Sequence, residues 1–115
     1  MTVERDALAK LATEHWRLLK LAERILSEAP PDRLASAVAQ VRFSATRLPA
    51  ICAEGGLRLI HYDFEPYEPN LPVTVANAEE AATFARAVID RTIEPTITAN
   101  GEIVAMGKVL LKERA

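Results

Sequence analysis

Ile97-Thr98-Ala99-Asn100-Gly101-Glu102-Ile103-Val104 decides how the second half of this chain folds. Asn-Gly accepts the positive φ angles of the tight turn that matches strand twist, and strand-forming runs flank it, so the stretch predicts a hairpin tip. Downstream, Ile103 to Leu111 predicts the C-terminal strand, with Gly107 marking a bulge or a close backbone approach. Upstream, Val73-Thr74-Val75 predicts a strand, and Asn77 with Glu80 three residues later predicts a short helix from Ala78 to about Arg86. Ala87 to Thr92 reads both ways: Phe84, Val88 and Ile89 continue a helical face, while Val88-Ile89 and Thr92-Ile93 are good strand formers.

Further upstream, Leu57-Arg58-Leu59-Ile60-His61-Tyr62 alternates as a strand does, and the loop after it carries Pro66, Pro69 and Pro72, a spacing that predicts an extended, stiff connection. Before Gly55-Gly56 the period becomes helical. Val3 to Glu28 holds neither Gly nor Pro. Its Leu8, Leu11, Ala12, Leu18, Leu19, Ala22, Ile25 and Leu26 form a stripe facing a core, with Trp16 as the one large aromatic anchor and Thr2 as a cap. His15 on that stripe reads as a packing residue at a helix–helix seam. Ala29-Pro30-Pro31-Asp32 breaks the helix. Leu34, Val38, Val41, Ala45, Leu48 and Cys52 then mark a second helix, with a kink expected at Pro49.

These readings give an α+β fold: an antiparallel helical hairpin over residues 1–56, followed by a small, mostly antiparallel β-domain over residues 57–115. One hairpin covers too little of its apolar stripe, so a second copy completing a four-helix bundle is expected. The dimer interface is assigned to Leu11, Leu18, Ile25, Leu34, Val38, Val41 and Ala45.

The 115 residues carry a net charge of −2, with 50% hydrophobic and 26% charged residues. That composition builds a core, excludes wholesale disorder and argues against a nucleic-acid partner. Residues 1–60 hold +2 and residues 61–115 hold −4, so the second half is an acidic module suited to a basic protein surface. No apolar run suits a bilayer, and no basic-then-apolar leader is visible, which points to a cytoplasmic protein without a membrane partner. The single cysteine, Cys52, reads as a buried thiol.

Gly-rich phosphate loops, paired cysteines and nucleophile–base motifs are missing from the sequence. His61 and Asp63 on one strand face would supply two metal ligands where a divalent site needs three or four. Their simpler reading is a polar strand end entering a loop. Neither catalytic residues nor a cofactor are expected, and the chain does not read as an enzyme.

The order of these elements resembles the GrpE family, nucleotide exchange factors of DnaK-type chaperones, over roughly residues 20–112. Gly56-Leu57-Arg58-Leu59-Ile60 is similar to the family's Gly-Val-x-x-Ile, Tyr67-Glu68-Pro69-Asn70-Leu71 to its Phe-Asp-Pro stretch, and Asn100-Gly101-Glu102-Ile103-Val104 to its Gly-Arg-Val-Leu hairpin. Where the family has two arginines after the hairpin glycine, this chain has Glu102 and Ala105. The resemblance implies a homodimeric, cofactor-free co-chaperone that binds the ATPase domain of a DnaK-type chaperone and promotes ADP release. The partner contacts it implies are Phe64, Tyr67, Glu68, Pro69, Asn70, Leu71 and Glu102. The competing expectation is a dimeric interaction adaptor of the same fold without exchange activity.

Overall fold

The computed structural model describes residues 3–28 and 31–115, apart from the side chains of 31–34. The chain is α+β and divides into two compact units, residues 1–58 and 59–115.

In the first unit, α1 (Val3–Ser27) and α2 (Pro31–Glu54) contact one another. The cap expected at Thr2 lies outside the described residues, as do Ala29 and Pro30 of the break expected at Ala29-Pro30-Pro31-Asp32, while Pro31 opens α2. Glu4 and Asp6 in the first turn of α1 oppose the positive end of its dipole. The buried face of α1 is Ala9, Ala12, Trp16 and Leu19; that of α2 is Leu48 and Cys52, with Val38, Val41 and Ala45 half-buried. Trp16 is the expected anchor, and Lys20 Nζ stands 5.1 Å from its ring centroid. The helix continues through Pro49. It ends where Leu57 N–H donates to Cys52 O (2.8 Å) and Gly56 N–H to Ala53 O (3.0 Å), with Gly56 at φ 78°. That pair of bonds satisfies two of the terminal carbonyls and requires the left-handed conformation glycine tolerates. Gly55 brings the first turns of α1 close, since a Cβ there would lie 2.6 Å from Leu8 Cδ2.

The second unit holds two three-stranded sheets. One is ordered β1 (Arg58–Ile60), β4 (Thr96–Ala99), β5 (Glu102–Ala105); the other β2 (Val73–Val75), β6 (Gly107–Glu113), β3 (Ala87–Glu94). β3–β6 and β4–β5 pair antiparallel, and β2–β6 pairs parallel. The ambiguous segment is therefore a strand, and Asn100-Gly101 is the hairpin tip, at φ 54° and 78°. The core is Tyr62, Val73, Ile89, Val109 and Leu111.

Four expectations are corrected. The long C-terminal strand is two strands, because the chain leaves one sheet after Ala105 and joins the other at Gly107. The helix expected to reach Arg86 is one turn, α3 (Ala78–Ala81). Asn77 makes no capping bond. Its amide instead pairs with the backbone of Leu111, donating Nδ2–H to Leu111 O (2.8 Å) and accepting Leu111 N–H on Oδ1 (3.0 Å), as a neighbouring strand would. The proline-rich loop is not uniformly extended: it turns twice, with Glu65 N–H donating to Tyr62 O (3.0 Å) and Leu71 N–H to Glu68 O (3.1 Å).

Of the bulge or close approach expected at Gly107, the structure has the close approach, at the first residue of β6. A Cβ there would meet Thr96 Oγ1 at 2.6 Å, Thr96 N at 2.9 Å and Glu94 O at 3.0 Å. Thr96 Oγ1 donates to Pro72 O (2.8 Å) and accepts Gly107 N–H (3.2 Å), joining the two sheets through one buried hydroxyl. Gly107→Ala is therefore expected to destabilise the protein by about 1–3 kcal/mol, the usual cost of overpacking. A urea midpoint equal to that of the wild type would contradict this.

Candidate interaction site

The segment after β1 is fastened to the free edge of β3. Phe64 N–H donates to Ile89 O (2.8 Å), Ile89 N–H donates to Glu65 O (2.9 Å), and Tyr67 N–H donates to Ala87 O (3.2 Å). Pro66 bridges Val88. Beneath them, Thr92 N–H donates to the Asp63 carboxylate (2.8 Å) and Tyr62 N–H donates to Thr92 Oγ1 (3.0 Å). A buried hydroxyl and a carboxylate thus satisfy one backbone N–H just past β1 and one on β3, as buried polar groups require.

On this base the expected contact residues divide. Phe64, Glu68, Pro69 and Asn70 are exposed, whereas Tyr67 and Leu71 are half-buried and pack on the core. Glu102 is exposed but lies on β5, in the other sheet, so the loop's fastening to β3 does not include it. Phe64 has φ 69° and is 72% exposed. Lys112 Nζ stands 5.9 Å from its ring centroid and 3.6 Å from Asp90 Oδ1.

The expected dimer residues also divide. Leu11, Leu18 and Ile25 are exposed, on a face different from Ala9, Ala12, Trp16 and Leu19. Leu21 is exposed as well, and sequence reasoning passed over it although it stands three residues after Leu18, on the same face. His15, expected to pack at a seam, is exposed. Val38 and Val41 line a groove with Glu23, Leu26 and Arg42. The side chain of Leu34 lies outside the described residues.

Burial pushes the Cys52 thiol above its ordinary pKa, because the thiolate would lose solvation. Among the described residues, no group of three or more His, Cys, Asp and Glu side chains is placed to hold a metal. His61 is exposed and Asp63 is engaged with Thr92, so the pair serves as a strand end and a loop anchor. Among those residues no helix is long and apolar enough to cross a membrane.

Compared with known protein families, with curated proteins and with solved structures, the chain matches none.

The Asp63 anchor makes a local prediction. Asp63→Ala leaves the Thr92 amide without its acceptor, and its hydrogen exchange should speed up while Val109 and Leu111 keep their protection. Unchanged exchange at Thr92 would show that the carboxylate does not hold the segment.

Proposed function

We propose that the chain is a GrpE-like co-chaperone: a homodimer whose β-unit binds the ATPase domain of a DnaK-type chaperone and promotes ADP release by binding alone. The observation that supports this most is the fastened segment from Phe64 to Leu71. It offers Phe64 to solvent on backbone that β3 holds as far as Tyr67, and Glu68, Pro69 and Asn70 on the turn that Leu71 N–H closes onto Glu68 O. A surface ordered before binding loses little conformational entropy on contact. Such a partner shifts the chaperone between closed and open forms only by its differential affinity for them, so stronger binding to the open form is what would release ADP.

The dimer rests on the helical unit. α1 and α2 are read as an antiparallel hairpin because Leu8 approaches Gly55 at one end while Glu23, Leu26, Val38 and Val41 share a groove toward the other. That pairing uses the Ala9–Trp16–Leu19 face and leaves Leu11, Leu18, Leu21 and Ile25 for a second copy to cover. A cytoplasmic location goes with this reading, since a DnaK-type partner is found there and a lone thiol stays reduced.

Glu68 is exposed, so Glu68→Lys should leave the unfolding midpoint unchanged yet reduce acceleration of ADP release about tenfold, or roughly 1.4 kcal/mol. Tyr67 is a poorer probe because its ring also packs on the core. Release that is not accelerated even by the wild-type chain would leave the adaptor reading in place of exchange. For the dimer, Leu18→Asp places a charge on a side chain that is 64% exposed within one copy. It should sediment as a helical monomer while the wild type sediments as a dimer; a monomeric wild type would refute the dimer.

A further inference from the structure

We propose that Phe64 is a strained anchor whose ring enters an apolar pocket on the partner protein, with a carboxylate at the pocket's rim receiving Lys112. The proposal rests on the chaperone-binding reading and names the chemistry of that contact. Among the described residues only Phe64 and Asn100 combine a side chain with a positive φ. Asn100 is in a hairpin turn, where asparagine tolerates that conformation. For a bulky aromatic residue the same conformation is strained, and it persists only where the surroundings impose it.

Here the surroundings do impose it. Phe64 N–H is held by Ile89 O, Glu65 N–H by Tyr62 O, and the preceding Asp63 by the Thr92 amide. A glycine at position 64 would follow the same path without strain. The phenyl ring is not compensating through burial, since it is 72% exposed. Neither the turn nor the core explains a phenylalanine at this position, which leaves recognition as the use of the ring. A rigidly presented aromatic side chain is the kind of group that dominates binding energy when a partner desolvates it.

Lys112 adds the charge. Its ammonium lies 5.9 Å from the ring and 3.6 Å from Asp90, and both members of that ion pair are about half exposed. An exposed pair of this kind contributes little, so Lys112 can exchange Asp90 for a carboxylate on the partner. Apolar contact and cation beside it define the occupant: a protein pocket sized for a phenyl ring, acidic at one side.

The test compares Phe64→Gly, Phe64→Ala, Lys112→Glu and Lys112→Arg in the full chain, by urea unfolding and by calorimetric titration with the ATPase domain of a DnaK-type chaperone in ADP. Phe64→Gly should unfold at a midpoint no lower than wild type and higher than Phe64→Ala, which keeps the strain and loses the ring. Both should lose about tenfold or more in affinity. Lys112→Glu should also bind more weakly, and Lys112→Arg should bind as wild type does. If both Phe64 variants unfold early by the same margin, the ring is structural and the proposal fails. It fails equally if Phe64→Gly keeps wild-type affinity, or if that substitution instead dissociates a homodimer. Absence of binding by the wild type itself would overturn the chaperone reading and this pocket with it.

Discussion

The reciprocal backbone bonds between Ile89 and the pair Phe64 and Glu65 are the constraint on which the β-unit's surface depends. β3 would otherwise present an open edge, which invites pairing with another chain. Residues 62–67 cover that edge with a turn rather than with a regular strand, and the turn throws Phe64 outward. Asp63 and Thr92 complete the fastening from below. Covering the edge and displaying the ring are therefore one structural event.

A second close contact makes the unit one body. The chain passes between its two sheets three times, and the two short passages, at Pro95 and at Met106, converge on Thr96 and Gly107. Pro95 and Thr96 are fully buried, and the Thr96 hydroxyl meets the Pro72 carbonyl and the Gly107 amide at once. No residue with a side chain fits at position 107 without moving backbone. β6 consequently begins at a fixed point, pairs with β2 and β3 on either side, and supplies Val109 and Leu111 to the core.

Elements governed by local chemistry were legible in the sequence. Asn100-Gly101, the helical stretch from Val3 and Gly56 past the end of α2 each follow from what a short run of residues permits. What depended on distant partners was not. Asn77 looks like a cap because its neighbours do, but Leu111, far along the chain, claims its amide. The single stripe read along α1 is two faces, one buried around Trp16 and one exposed around Leu18, because periodicity counts apolar residues without saying which neighbour each one meets. The loop at Phe64 to Leu71 was located by its prolines. The left-handed backbone at Phe64 and the anchoring roles of Asp63 and Thr92 had no local signature.

Hydrogen exchange on the full chain, alone and with the ATPase domain of a DnaK-type chaperone in ADP, reads the proposed binding surface amide by amide. A contact through the Phe64–Leu71 segment predicts new protection confined to the amides of residues 64–71 and their immediate surroundings on β3. Protection elsewhere in the β-unit with none across this segment, or no protection at all at saturating partner, would contradict it.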